Sequence, residues 1–376
     1  MHVYDYIVIG SGLTGLSIAS KISLETKNIL ILESENEFGG ANRAATLKNN
    51  ILDNGLRFFP ATDLAEKTLL QLEDFLSLKL IKNKVDNLPE TYDASGFKAF
   101  VGFGDKSPEF YDQLSYFLSA QETELTLPVH QIINLIKEKY QGEILLRSYV
   151  TQFNFTDAKL THVTVNGTKH FYGNNFIFTG NVRELSVLIP DEFLSLRAKA
   201  KLKKDTAWMS LCLDLFHEIQ EGQLPIEKNN LFVLNGTTDD SIGPCLGRFN
   251  QKMDDQKQIS QWMAFVDVET SEETENIAEV LKKMKRQIKR AFPGMAENIT
   301  GERLNISAPM SCGEIKLNSN GTLYKVGNLW IASAQVSKYP NLLGSMLQAQ
   351  MTLAALGFGE APLIQTSEEL HSVQTV

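Results

Sequence analysis

Tyr4-Asp5-Tyr6-Ile7-Val8-Ile9-Gly10-Ser11-Gly12-Leu13-Thr14-Gly15 runs from an apolar, β-branched stretch straight into a glycine-rich turn. Tyr4 to Ile9 has the composition of a strand buried in a parallel sheet. From Leu16 to Leu24 the spacing becomes helical, with Leu16, Ala19 and Ile22 on one side. Ile29-Leu30-Ile31-Leu32 is a second buried strand, and it ends at Glu33. Strand, G-x-G-x-x-G turn, helix, strand and acid within about 30 residues form the dinucleotide-binding unit. Gly10 allows the tight turn, Gly12 lets a pyrophosphate approach the backbone, and Gly15 lets helix and strand pack closely. Ser11, Leu13 and Thr14 belong to the same turn and helix start, where free amides face phosphates. Glu33, followed by Ser34, stands where a carboxylate accepts hydrogen bonds from ribose hydroxyls and repels a 2′-phosphate. The expected ligand is therefore FAD or NAD rather than NADP. A glycine turn that binds nothing is the bland alternative, and the register of all five parts speaks against it.

Past Glu33 the chain reads Ser34-Glu35-Asn36-Glu37-Phe38-Gly39-Gly40-Ala41-Asn42-Arg43, and later Leu52-Asp53-Asn54-Gly55-Leu56-Arg57. The first stretch resembles the E-x-x-x-x-x-G-G-x-x-R extension of the FAD-dependent amine oxidase superfamily, which includes protoporphyrinogen oxidases and phytoene desaturases. The second resembles that family's D-x-G strand and turn. The resemblance implies that Gly39 and Gly40 pass close to the pyrophosphate. It puts Arg43 near the phosphates or the flavin edge, and runs Asn54, Gly55 and Leu56 beside the isoalloxazine ring. Ordinary NAD dehydrogenases have no use for the second glycine pair, so the cofactor implied is FAD.

The resemblance recurs downstream. A helix is predicted over Ile132–Tyr140, a strand over Glu143–Phe153, and a hairpin from Leu160–Val165 and Lys169–Tyr172 around Asn166-Gly167. Asn175 to Gly180, with Thr179, resembles the strand that returns to the FAD domain, and a valine at the position of Val150 touches adenine in the family. Leu127-Pro128-Val129-His130 replaces the family's Gly-Gly before the helix. Gly327 to Gln335 resembles the last FAD strand. Gly344-Ser345-Met346-Leu347-Gln348-Ala349 resembles the final helix, whose amino end points at the flavin pyrimidine edge. Ser333-Ala334 departs from the pattern, because the family has Gly followed by Asp or Glu there. The lost carboxylate would bind the ribityl chain, and Gln335 is the candidate substitute.

Ala207–Leu215 and Gln261–Val268 read as strands, and Glu273–Phe292 as an amphipathic helix whose lysines form a solvated face. Arg57 either holds a substrate carboxylate at the flavin face or pairs with a structural group. Lys203 or Lys204 stands roughly where amine oxidases place a lysine near flavin N5, and a surface role is the ordinary alternative. Trp208, Trp262, Tyr339 and Phe59 line a pocket or fill the core.

The expected fold is α/β: an FAD-binding Rossmann-like domain of the glutathione reductase type 2 kind, with a smaller mixed-sheet α+β substrate domain. The first would take residues 1–60, 127–190 and 301–360, the second 61–126 and 191–300, leaving a tail at 361–376. The function implied is oxidation of a small organic substrate (an amine, a polyene or a tetrapyrrole-like molecule). A hydride equivalent would pass to flavin N5, and O2 or another acceptor would take the electrons. A mutase-like flavoprotein without net redox change, or a degenerate flavin-binding module, are the alternatives.

Composition narrows this further. The 376 residues carry 36 basic and 45 acidic side chains, net −9, and no basic run rises above that background, so nucleic acid is not an expected partner. Cys212, Cys245 and Cys312 lie far apart without CxxC spacing, which excludes a disulfide framework and reads as buried thiols in a reducing compartment. Six histidines complete no ligand set, so no metal is expected. Tyr6 to Ile9 is too short for a signal segment, and no apolar stretch reaches the roughly 18–20 residues of a membrane helix. The expected location is cytoplasmic.

Overall fold

Tyr6 to Ile9 pair in parallel on both edges, with Ile29–Leu32 on one side and Asn175–Phe178 on the other, which is why this run is apolar on both faces. The computed structural model describes residues 2–376 except 87–88, 94–95, 104–110, 112–113, 115–117, 119–120, 205–207, 222–224, 227–229, 235–243, 251–255, 311–313, 338, 340, 361 and 363–376. Cys312, the start of the strand expected at Ala207, and nearly all of the tail lie outside the described residues. Along the chain come β1 (Val3–Ile9), α1 (Leu13–Ile22), β2 (Ile29–Leu32), β3 (Ala44–Leu47), β4 (Asn50–Asp53), α2 (Asp63–Leu76), β5 (Ile81–Val85), β6 (Glu90–Asp93), β7 (Gly96–Ala99) and β8 (Glu122–Leu125). Then follow α3 (Val129–Lys139), β9 (Glu143–Leu145), β10 (Val150–Thr156), β11 (Lys159–Val165), β12 (Lys169–Phe178), β13 (Trp208–Glu218), β14 (Phe232–Leu234), β15 (Cys245–Phe249), β16 (Lys257–Asp267), α4 (Thr274–Ala291), β17 (Ile299–Ile306), β18 (Leu329–Ile331) and α5 (Asn341–Ala355).

The first sheet has the order β10-β11-β12-β1-β2-β9, with β18 beside the distal half of β12. Alternate residues of β1 face opposite cores. Val8 packs with α1, α2, α3 and α5, whereas Ile7 and Ile9 pack toward β10 and β11 through Val150, Phe153, Leu160 and Val163. The strand expected over Glu143–Phe153 is two strands. Arg147 takes φ 53° between them, and its amide bonds to the Glu35 carbonyl at 2.8 Å, so β9 ends on β2 and β10 begins a different pairing. Lys169–Tyr172 and Asn175–Gly180, expected as separate strands, are joined in one strand, β12, which ends at Phe178. The hairpin turn at Asn166-Gly167 has positive φ at both residues (50° and 76°), as the tight two-residue turn requires.

The second sheet has the order β17-β13-β16-β15-β14-β6-β7. Leu211, Leu213 and Leu215 of β13 face α4 and pack with Trp262, Val280, Met284 and Ile288. Cys212, Asp214 and Phe216 face the other way, toward the β3–β4 hairpin and the turn after it. Ile299–Ile306, which the sequence reading divides at 301, is a single strand on β13. α2, expected in the second unit, buries Ala65, Leu69, Leu72 and Leu76 in the first core. Along α4, Lys282, Arg286, Lys289 and Arg290 are exposed, as its solvated face requires. No helix among the described residues is long and apolar enough to cross a membrane.

His217 is fully buried on β13, with Nδ1 2.8 Å from the Met295 carbonyl and Nε2 2.7 Å from Ser260 Oγ. Burial pushes its pKa below the ordinary 6.5, partly offset by the Met295 bond. The unfolded chain therefore binds a proton before the folded one does. The neutral ring's contribution is complete above pH 6.5 and is lost as pH falls below it. We expect the urea midpoint to drop on acidification from pH 7, the unfolding free energy falling by no more than about 1.4 kcal/mol per pH unit for one proton. His217→Gln should flatten that slope; an unchanged slope would remove His217 as its cause.

Candidate functional site

Gly10 turns with φ 102°, and a Cβ on Gly15 would overlap the Gly10 carbonyl oxygen. Those two contacts bring α1 hard against the end of β1. Gly12, in contrast, has nothing within 4 Å of where a Cβ would stand. No side chain caps α1 at Gly12, and its first turn holds no acid. An uncapped helix start with open space before it is an anion site in waiting. Gly39 donates its amide to the Ser11 carbonyl at 2.9 Å and bridges Gly12 in parallel. A Cβ on Gly40 would come 3.2 Å from the Gly12 Cα. The second glycine pair thus lies directly along the first turn.

Glu33 is only 5% exposed. Its Oε2 accepts from the Ser11 amide (2.8 Å) and hydroxyl (2.5 Å). Its Oε1 accepts from the Ser34 hydroxyl (3.2 Å) and the Glu35 amide (3.0 Å). The carboxylate therefore locks the glycine turn to the end of β2. Val150 stands near: the Ser148 amide donates to the Glu33 carbonyl at 2.7 Å, two residues ahead of it. Thr179 donates its hydroxyl to the carbonyls of Ile9 (2.9 Å) and Gly10 (3.2 Å). Thr14 donates to the Ser345 carbonyl at 3.0 Å, tying α1 to α5. Gly344 has no room for a Cβ against the Tyr339 carbonyl oxygen, and Met346 is buried in the first core.

Other expected residues have structural work. Arg57 donates Nε to Asn42 Oδ1 (3.2 Å) and its terminal nitrogens to the carbonyls of Leu56 (3.1 Å) and Ala41 (2.5 Å). It closes the turn after β4 onto residues 41–42. Burial lowers its pKa, partly offset by Cys212, Asp53 and Asp214. Arg43 faces Glu37 (3.5 Å) and Glu35 (3.8 Å). Lys203 is exposed on the helix Leu196–Lys204, and its carbonyl accepts from Arg183. The side chain of Lys204, the other lysine expected near the ring, lies outside the described residues. Ser333 uses its hydroxyl to cap the Gln335 amide. Gln335 accepts from the Val182 amide at 2.7 Å and donates to Asn181 and the Pro309 carbonyl. Trp262 and Phe59 are core residues, whereas Trp208 and Tyr339 are partly buried at core edges.

Three residues of this region escaped sequence reasoning. Asp53 accepts from the amides of Val129 (3.1 Å) and His130 (2.8 Å) and pairs with the His130 ring at 2.8 Å. A carboxylate from β4 thus caps α3, in place of the family's Gly-Gly. The D-x-G resemblance gave the only hint of it. Asp214 and Arg303, joined at 2.8 Å, had no local signal, because strand pairing alone brings them together.

The site is thus a cradle of glycines, free helix amides and one buried acid. Its residues fit the pyrophosphate and ribose of a dinucleotide, on the strength of the open face at Gly12. Among the described residues no group of three or more His, Cys, Asp or Glu is placed to hold a metal.

Residues 8–72 match the family model of the NAD(P)-binding Rossmann-like domain. The flavin-containing amine oxidase A of Equus caballus is 33% identical over 88 residues, covering 23% of this chain and 16% of that one. The chain thus matches about a sixth of that curated relative's length. Among solved structures, an oxidoreductase from Methanosarcina mazei superposes with a TM-score of 0.69 at 12% identity, over 93% of this chain and 99% of its own. A putrescine oxidase bound to putrescine gives 0.66 at 12% identity, over 94% and 98%.

Proposed function

We propose, for a chain that has the fold of the FAD-dependent amine oxidase superfamily, that it binds FAD and works as an FAD-dependent oxidoreductase on a small organic substrate. The observation that carries this reading is the uncapped start of α1, open over Gly12 and beside the buried Glu33 carboxylate. The amides of Leu13 and Thr14 would hold the pyrophosphate, with Gly39 and Gly40 alongside. Glu33 would take the ribose hydroxyls and Val150 would lie by the adenine. Asn54, Gly55 and Leu56 would flank the ring, and the start of α5 at Gly344-Ser345 would face its pyrimidine edge. Bound FAD would supply a two-electron acceptor. The chain's own part is to bind, orient and exclude water. Phe58, Phe100, Phe103, Tyr111, Trp208 and Phe265 pack in one hydrophobic cluster with Leu56, and these apolar surroundings favour an apolar organic substrate. An electron acceptor such as O2 completes the reaction. The buried thiols of Cys212 and Cys245 suit a reducing compartment such as the cytoplasm.

A second reading, a flavin-binding protein with little turnover, is favoured by one observation. Ser333-Ala334 offers no carboxylate to the ribityl chain, and the Gln335 amide is already bonded to Val182, Asn181 and Pro309. Purification separates the readings. We expect a yellow protein whose denatured supernatant contains FAD by mass spectrometry, and anaerobic bleaching by a suitable amine, polyene or tetrapyrrole. A colourless protein that takes up no FAD refutes both readings; a yellow one that no substrate bleaches leaves the second.

A further inference from the structure

Four side chains stand in register across the second sheet on the face turned to the first. They are Arg303 on β17, Asp214 on β13, Gln261 on β16 and Arg248 on β15. Asp214 is fully buried. It accepts from Arg303 at 2.8 Å and from Gln261 Nε2 at 3.0 Å. Each of the other three also reaches across to the first unit or to β8. Arg303 donates to the side chain of Asn54. Gln261 donates to the Asp53 carbonyl at 3.0 Å. Arg248 grips both oxygens of Glu122, at 3.1 and 2.8 Å, and Glu122 bridges Pro60. Two cations meet two anions, so the row is balanced in charge.

Dry layers flank the row. On one side Cys212, Met263 and Leu246 pack against Leu56, and a Cβ on Gly55 would come within 2.7 Å of Cys212 Sγ. On the other side Phe216 and Ile259 pack against Ala45, Leu47 and Leu52. A one-residue slip of the turn after β4 would take the Asn54 side chain from Arg303 and the Asp53 carbonyl from the buried Gln261 amide, and leaving such donors without partners is costly. The polar row therefore admits one placement of Asn54-Gly55-Leu56.

We propose that Arg303, Asp214 and Gln261 are positioning residues: they seat the Asn54-Gly55-Leu56 turn on the second sheet and so set where the ring of a bound FAD rests. This rests on the FAD reading above, and its test has an arm that does not. The full chain is compared with Arg303→Met, Arg303→Lys and Gln261→Met. Hydrogen exchange is read at the amides of residues 54–57, with β1 and β16 as controls. Arg303→Met should speed exchange at 54–57 about tenfold or more and leave the controls unchanged, with Arg303→Lys in between. In FAD-loaded protein the same variant should shift the visible flavin spectrum and midpoint potential, while FAD affinity stays within about threefold. If Arg303→Met does not fold, Gln261→Met, which removes the bond to the Asp53 carbonyl, decides in its place. Unchanged exchange at 54–57 overturns the proposal. Faster exchange with an unmoved flavin potential also overturns it, since the row would then only hold the fold together. A chain that takes up no FAD defeats the FAD reading, and the ring-positioning claim with it; the exchange arm then still decides whether the row seats the turn.

Discussion

Glu33→Ala is expected to leave the protein colourless after purification and to lower its FAD affinity by about 100-fold or more. Two effects combine. The variant loses the acceptor for the ribose hydroxyls, and hydrogen bonds to a charged group contribute about 1.5–3 kcal/mol each. It also releases the Ser11 amide and hydroxyl and the Glu35 amide, which the carboxylate holds in the structure. A buried Ser11 amide without a partner costs about 1–3 kcal/mol, so the apoprotein should melt earlier as well. Glu33→Gln keeps the shape but not the charge, and should fall between. Fluorescence titration with FAD and thermal melts of the apoprotein read the two effects separately. Retention of FAD at the parent affinity would remove Glu33 from the ribose site.

Gly15→Ala should destabilise the protein at the upper end of the roughly 1–3 kcal/mol typical of overpacking. The new methyl would overlap the Gly10 carbonyl oxygen and stand 3.0 Å from Thr179 Oγ1. The first of these is backbone and cannot swing aside. α1 must then lift from β1, which strains the Thr14 bond to Ser345. Gly12→Ala is the matched control. Gly12 has φ −66°, which alanine adopts readily, and its methyl meets nothing within 4 Å. It should unfold in urea like the parent yet lose FAD, because that open space is where the pyrophosphate would lie. Equal stability for Gly15→Ala and the parent would show that the helix does not need glycine there. Undiminished FAD binding by Gly12→Ala would place the phosphates elsewhere.

The two glycines, so different in role, share one motif. The sequence marked both, because a strand running into G-x-G-x-x-G, a helix and an acid is a local pattern whose parts lie within one βαβ unit. For the same reason the Asn166-Gly167 hairpin and α4 were legible: turn chemistry and helical spacing act over a few residues. Alternation misled at Glu143–Phe153, where the apolar pattern continues through a bend that Arg147 makes by bonding to the Glu35 carbonyl. The break expected in β12 vanished because β1 pairs along one edge while β11 and then β18 pair along the other. Arg57 shows a different limit. Its sequence position suits a ligand or a structural partner equally well, and only the folded chain brings the carbonyls of Ala41 and Leu56 to its guanidinium.

Taken by itself, the sequence determined the nucleotide-binding unit, its glycines and Glu33, since these depend on backbone freedom and charge within a few dozen residues. Only the tertiary structure decided that Asp53 caps α3, that Gln335 is already engaged, and that Arg303, Asp214 and Gln261 seat the turn at Asn54. Arg303 and Asn54 lie 249 positions apart, and strand register, which no local pattern encodes, brings Arg303, Asp214 and Gln261 into one row.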